Sequence, residues 1–258
     1  MKEQLMKNML MVISYDGSEY KGWQRQPSEL SIQGTIEKTL KRLLKEEITI
    51  DGAGRTDAGV HSIKGQTATF NLTTHIEAEP LRYALNRALP RSIHIDQITT
   101  VPDTFHARYH ALGKTYRYII DQSLEASPLR AKYVHHLDRP LDFKAIRLAM
   151  QHFVGTHDFK TFMASGSKIE DTVRTLYSFT LEQYKEEYHF TISGDGFLYN
   201  MIRIIMGSLI QVGDHKIEPD EIRAIIESKE RSRARYTAPA NGLYLIHVEY
   251  APNIFYQV

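Results

Sequence analysis

Between two strand-like runs lies Asp51-Gly52-Ala53-Gly54-Arg55-Thr56-Asp57-Ala58-Gly59-Val60-His61, a segment too long and too polar for a simple hairpin turn. Asp57 puts a carboxylate on that loop, where it could serve as a nucleophile, a base or a stabiliser of developing positive charge. Taken alone, an Asp-x-Gly loop more often caps its own backbone amides than performs chemistry. Its glycines complete no dinucleotide fingerprint, because Asp57 stands where that pattern needs glycine or alanine, and they build no phosphate loop.

Other residues could act with such a carboxylate. Arg203 sits among Met201, Ile202, Ile204 and Ile205, so it is a cation in apolar company that needs a partner or a path for its stem to water. Tyr116 and Tyr118 alternate with Thr115, Arg117 and Ile119, which places the two rings on one face of a strand. Lys21 and Arg25 flank Trp23 and Gln24 in a loop, a mixture suited to gripping phosphates and bases. Further basic groups are Lys38, Lys41, Arg42 and Lys45, then Arg108, Lys114 and Arg117, then Arg231, Arg233 and Arg235; charge runs are commonly just solvated faces. His135 and His136 are adjacent, so on a strand they point to opposite faces and make poor metal co-ligands. His61 is read as a hydrogen-bond partner that fixes the loop.

Composition narrows the classes. The 258 residues carry 32 Lys and Arg against 31 Asp and Glu, so a polyanion must be held by a local basic face. With no cysteine the chain has no disulfide, no thiolate metal site and no thiolate to attack a pyrimidine ring, and a reducing, cytoplasmic compartment is expected. Met1 to Asn8 is charged, and the apolar stretch after it breaks at Ser14 and Asp16, unlike a signal peptide. No apolar run approaches membrane-spanning length.

These residues must be positioned by a fold, and periodicity predicts its elements. Strands are expected at Asn8 to Tyr15, Ile48 to Ala53, Gln66 to Leu72 and Ile93 to Val101. Helices are expected behind Ser31, where Ile32, Ile36, Leu40, Leu43 and Leu44 recur at helical spacing, and from Leu81 to Leu89 after Pro80. The order strand, helix, strand, strand, helix, strand is the ferredoxin-like split motif. It appears again in strand Lys114 to Ile120, helix Asp142 to Val154, strands Thr172 to Glu182 and Glu187 to Ser193, helix Leu198 to Gln211 and strand Leu243 to Tyr250. An extra helix is expected at Pro219 to Ser228. The prediction is an α+β chain of two ferredoxin-like halves, residues 1–105 and 106–258. No linker of Pro, Gly or Ser separates them.

The chain resembles the TruA family of tRNA pseudouridine synthases through motifs that span nearly its whole length. They are Ser14-Tyr15-Asp16-Gly17, Gly22-Trp23-Gln24-Arg25-Gln26, Ser31-Ile32-Gln33-Gly34, the specific run Gly54 to His61, Phe105-His106-Ala107-Arg108, Lys114 to Tyr118, Gly196 to Arg203, and Thr237 to Leu245. The resemblance implies two ferredoxin-like halves joined through one extended antiparallel sheet, with helices packed on one side and the catalytic cleft on the other. It implies isomerisation of uridine at tRNA positions 38, 39 and/or 40 in the anticodon stem-loop, without a metal or cofactor, by a homodimer in which one tRNA contacts both subunits.

For the residues, the resemblance implies that Asp57 is the catalytic carboxylate, that Arg203 pairs with it, and that Tyr116 stacks on the extruded uracil and helps move the C5 proton. Arg55 is implied to displace the base from its stack. Lys21, Gln24, Arg25, Arg108, Lys114 and Leu243 complete the expected substrate contacts. A non-enzymatic RNA-binding protein on the same fold is the main alternative. A uridine methyltransferase is disfavoured by the missing cysteine and cofactor loop.

Overall fold

The computed structural model describes residues 6–167 and 169–252; residues 1–5 of the charged N-terminal stretch lie outside the described residues. In chain order the elements are β1 (Lys7–Tyr15), α1 (Ile32–Leu44), β2 (Asp51–Gly52), β3 (His61–Leu72), α2 (Ala78–Ala88), β4 (Ile93–Thr100), β5 (Gly113–Asp121), β6 (His135–His136), α3 (Phe143–Gln151), β7 (Gly155–Asp158), β8 (Val173–Tyr184), β9 (Glu187–Gly194), α4 (Met201–Gly213), α5 (Glu221–Ser228) and β10 (Leu243–Glu249). The architecture is α+β, as expected. The chain forms two compact units, one running up to Lys114 and resuming at Tyr244, the other Thr115–Leu243. Where the sequence places a single boundary between residues 105 and 106, the chain crosses twice, because its last strand returns to the first unit.

In the first unit β1 lies between β4 and β3 and is antiparallel to both. The outer edge of β3 is shared. β2 pairs antiparallel with it at Thr69 and Ala68, and β10 pairs parallel with it at His61 and Ser62. The sheet expected to be antiparallel is therefore mixed here. β2 is expected over Ile48 to Ala53 but keeps only two paired residues. Ile50 gives its backbone N–H to Glu37 Oε1 (3.1 Å) and its carbonyl to Gln33 Nε2 (3.0 Å), so side chains of α1 satisfy groups that a ladder would have used. At this register even the whole expected run would end opposite Thr67, so the His61 end of β3 lies beyond β2, and β10 pairs there.

Helix α1 starts where Ser31 caps it, its Oγ accepting from Gly34 N at 3.3 Å, a contact worth about 1 kcal/mol. Helix α2 begins at Ala78, three residues before the expected Leu81, and Pro80 is tolerated in its first turn because amide donors there have no intrahelical acceptor. Ile32, Ile36 and Leu40 of α1 and Leu81 and Leu85 of α2 pack with Met9, Met11, Ile13 and Tyr15 of β1, so both helices cover one face of this sheet. On the other face, Thr67 Oγ1 lies 2.6 Å from the Tyr250 hydroxyl, which donates to the Ala107 carbonyl at 2.7 Å.

The second unit has the sheet order β5-β9-β8-β7, with β6 added in parallel to β5. β6 and β7 are absent from the sequence expectation because runs of two and four residues show no period. Helix α4 is apolar on nearly every side, and Met201, Ile202 and Ile204 to Ile210 are buried. Gly207 lets the backbone of Tyr236 cross it, since a Cβ there would come within 2.1 Å of the Tyr236 carbonyl oxygen. Asp142 caps α3, accepting from Lys144 N and Ala145 N at 2.9 and 3.0 Å, and the Ala145 amide foremost holds its carboxyl below the usual range.

His135 is buried on β6, with Nδ1 3.0 Å from the Tyr118 hydroxyl, which itself donates to the Pro239 carbonyl at 2.9 Å. That leaves the imidazole as donor to Tyr118. Burial disfavours the imidazolium and pushes the His135 pKa down to about 4. An unfolded chain takes up this proton near pH 6.5, so the folded state loses stability as pH falls from about 6.5 to 4, by up to roughly 3 kcal/mol. Urea midpoints measured at pH 7.5 and 4.5 should show this drop, and it should shrink in His135→Gln. An equal drop in the variant would contradict the assignment.

Candidate functional site

The loop between β2 and β3 is pinned from below, and this determines which of its side chains are left available. Thr56 is buried, its Oγ1 lying 2.7 Å from the Tyr15 hydroxyl and its carbonyl accepting from Trp23 N at 3.0 Å. Burial pushes the Tyr15 phenol far up, so it stays a neutral hydrogen-bonding group. The Asp57 carbonyl closes a turn by accepting from Val60 N at 3.2 Å. With Thr56 and Val60 directed inward, Arg55 is exposed and Asp57 half-buried. The backbone on which the Asp57 carboxylate is carried is thereby fixed.

Two further contacts fix the loop. His61 is 2% exposed, and its Nδ1 accepts from Gly17 N at 3.1 Å while the ring stacks on Tyr244 with centroids 4.8 Å apart. Asp16 Oδ1 lies 3.3 Å from the same nitrogen, but it already accepts from Ser18 N and Oγ at 2.9 and 2.6 Å. His61 thus has the loop-fixing geometry expected of it. Gly22 has φ of +92°, and a Cβ there would lie 2.5 Å from the Thr56 carbonyl oxygen and 3.1 Å from Asp57 C. Gly22→Ala should therefore displace the Asp57 turn and lower kcat at least tenfold, by order-of-magnitude reckoning from the cost of a misplaced catalytic group. Wild-type kcat in a folded Gly22→Ala protein would show that this packing is irrelevant to activity.

Of the expected substrate contacts, several turn out to be tied into the first unit. Gln24 Nε2 and Arg25 N both donate to Gln33 Oε1, at 2.8 and 2.9 Å, and the Arg25 guanidinium pairs with the buried Glu37 at 2.6 Å. Glu37 and Gln33 also satisfy Ile50, so this cluster braces the loop against α1. Lys21 is exposed. Arg108 is exposed in the segment after β4, and the Lys114 ammonium reaches over the Asp57 loop, where a Cβ on Gly54 would lie 2.9 Å from it. Lys114 belongs to a Gly113-Lys114-Thr115 triplet that completes no phosphate loop, because Arg108 holds the place of that motif's first glycine and the triplet opens a strand. On α1, Arg42 donates to the Ala88 carbonyl at 2.9 Å and Lys41 pairs with Glu47, so half of that basic face is engaged within the protein.

The second unit carries Tyr116, Arg203 and Leu243. Tyr116 is 7% exposed, and Phe197 meets its ring edge-on at 5.2 Å. Arg203 projects from the first turn of α4, where Nε donates to the Ala238 carbonyl and Nη1 to Asn200 Oδ1, each at 2.8 Å. Asn200 is the N-cap of α4 in a left-handed conformation, φ 59°, and that geometry turns its amide toward Arg203. The two bonds hold the guanidinium as a fixed fork. Leu243 is buried at the start of β10. Asn200 and the Ala238 carbonyl were given no role from sequence, where the apolar period puts Asn200 inside the helix. The guanidiniums of Arg231, Arg233 and Arg235 all bond locally, to Thr237 Oγ1 (2.9 Å), the Ala224 carbonyl (3.5 Å) and the Ser232 carbonyl (2.9 Å).

Among the described residues, no group of three His, Asp or Glu side chains is arranged to hold a metal ion. No helix of the described residues is long and apolar enough to cross a membrane.

Comparison with known proteins gives a consistent result. Residues 11–110 and 149–251 match a family model described as tRNA pseudouridine synthase. A tRNA pseudouridine synthase A of Acetivibrio thermocellus is 47% identical over 95% of this chain and 100% of its own length. The proteins of that name from Thermoanaerobacter pseudethanolicus and Brevibacillus brevis are 44% and 42% identical over the same 95% of this chain, again across 100% of their own lengths.

Proposed function

Because the chain belongs to the tRNA pseudouridine synthase family, we propose that it isomerises uridine to pseudouridine at one or more of tRNA positions 38, 39 and 40, with the Asp57 carboxylate acting at the ribose. Pseudouridine synthesis on tRNA is the activity of the family. The finer reading is supported by the loop geometry, in which the backbone at Asp57 is fixed through its neighbours and the residue is partly buried beside the exposed Arg55.

The bond between ribose C1′ and uracil N1 breaks, the base turns, C5 joins C1′, the C5 proton leaves to solvent and N1 takes one up. Electrons and atoms balance within the nucleoside, so we assign no metal and no cofactor. The Asp57 carboxylate either attacks C1′ as N1 leaves and is then displaced by C5, or takes the C2′ proton as N1 leaves and returns it once C5 has joined C1′; in both cases it must start ionised. Arg203 is the counter-charge that we assign to it, held by Asn200 and Ala238. Tyr116 supplies a face for the extruded uracil and a phenol for the C5 proton. Arg55 takes the place of the base in its stem, offsetting part of an unstacking cost of roughly a few kcal/mol. The acceptance of one tRNA by a homodimer and a cytoplasmic placement complete the proposal; the tRNA substrate and the cysteine-free sequence support the second of these.

Unmodified tRNA transcripts incubated with the protein and mapped for pseudouridine test the positions. New pseudouridine at 38, 39 or 40 and nowhere else in the tRNA supports the proposal, and modification confined to other positions contradicts it. A protein that only binds RNA would leave every uridine intact.

A further inference from the structure

The segment after β4 is built in a way that the catalytic account does not use. Phe105 is buried against Tyr250, with ring centroids 5.2 Å apart, and Ala107 is fully buried, its N–H donating to Thr69 Oγ1 at 3.3 Å and its carbonyl accepting from Tyr250. The backbone above is folded on two imidazoles. His106 N donates to His110 Nδ1 and Arg108 N to His106 Nδ1, both at 3.1 Å. These bonds make a short rigid pedestal on the face of the first unit's sheet opposite α1 and α2.

Tyr109 stands on that pedestal and is 74% exposed. Its ring lies 4.4 Å from the His106 ring, and the Arg108 guanidinium carbon is 5.9 Å from its centroid. A single exposed tyrosine is ordinary. Here, though, two imidazoles and a buried alanine fix the backbone that carries the ring, and the ring buries little in return. The same corner carries the catalytic loop: Asp51, its first residue, pairs with Thr69 and lies 4.0 Å from His106.

We propose that Tyr109, with Arg108 beside it, is a stacking platform for an unpaired base of the substrate tRNA. An aromatic face accepts any base, and a guanidinium next to it can meet the adjoining phosphate. Charge favours RNA over a protein partner, since the near-neutral chain must collect its cations locally, and Arg108 and Lys114 flank the ring in sequence. This inference rests on tRNA being the substrate.

The test uses the full chain with unmodified tRNA, comparing Tyr109→Ala, Tyr109→Phe and Arg108→Gln by steady-state kinetics, filter binding at several salt concentrations and sedimentation. Tyr109→Ala should raise both KM and Kd at least fivefold, as expected from roughly 1–3 kcal/mol per stacked base, and should leave the salt slope as it is. Tyr109→Phe should restore wild-type KM. Arg108→Gln should lower the slope of log affinity against log salt by about one. Unchanged KM and Kd in Tyr109→Ala overturns the proposal, as does a Phe variant no better than Ala. A change of sedimentation in Tyr109→Ala also overturns it, by marking the ring as a protein contact. If the wild-type protein made no pseudouridine in tRNA, the functional reading would fail instead, and the two failures are separable.

Discussion

Asp57→Asn should yield a folded protein that binds tRNA about as tightly as wild type and makes almost no pseudouridine. The substitution changes one oxygen to an amide and removes the charge. The bonds that build the turn use the Thr56 hydroxyl, the Thr56 carbonyl and the Asp57 carbonyl, none of which is altered. The turn itself is therefore expected to persist, and Kd to stay close to wild type. Turnover is different, because neither a nucleophile nor a base for the ribose remains, and a loss of at least ~10³-fold in kcat follows from the usual worth of such a group. Rapid-quench assays on purified Asp57→Asn would decide this, and turnover within tenfold of wild type would show that no carboxylate is required there.

Arg203→Met is the second large effect, and it should reach both chemistry and stability. The guanidinium donates to Asn200 Oδ1 and to the Ala238 carbonyl. Methionine fills similar space but donates to neither, so two acceptors lose a charged donor, at about 1.5–3 kcal/mol for each such bond. The left-handed Asn200 cap and the crossing of Tyr236 at Gly207 should both loosen, which lowers the melting temperature. If Arg203 is the counter-charge of Asp57, kcat also falls, by ~10²-fold or more. Arg203→Lys separates the two contributions. A lysine keeps the charge but lacks the planar fork, so it should recover part of kcat and little of the stability. A destabilised Arg203→Met protein with wild-type kcat at low temperature would remove Arg203 from the chemistry.

Much of this was legible in the residues themselves, for identifiable reasons. Ser31 before a clean helical period marked the start of α1 to the residue, and the alternation in Lys114 to Ile120 marked β5 nearly as well. The short β2 was not legible, because Ile48 and Ile50 are buried as a strand's residues would be while Glu37 and Gln33 take the backbone bonds of Ile50. That exchange depends on a helix thirteen residues away in sequence, which no local pattern reports. The parallel pairing of β10 with β3 was hidden too: it joins strands from opposite ends of the chain, at an end of β3 that the register of β2 does not reach.

Site residues divide in a similar way. Asp57, Tyr116 and Arg203 were singled out by their residue types and by a family resemblance, and the structure describes their surroundings unit by unit. Arg25 and Gln24 look from sequence like hands for RNA, yet their side chains are bonded to Glu37 and Gln33. A cation in a loop with Trp23 gives no hint that a buried glutamate lies twelve residues ahead to receive it. Asn200 was not legible as a partner, because the apolar period starts that helix at Leu198 and puts Asn200 inside it, whereas it is the left-handed residue just before α4 and bonds Arg203.

The central claim is that the Asp57 carboxylate detaches uracil from its ribose in tRNA and that the base rejoins through C5. Transcripts labelled with tritium at uracil C5 address it directly, since that hydrogen is lost only when the new bond matures. Wild-type protein should release label to water in step with pseudouridine formed, while Asp57→Asn binds the same tRNA and releases none above background. Label retained by the wild type on bound tRNA, or released by Asp57→Asn at a comparable rate, would contradict the account.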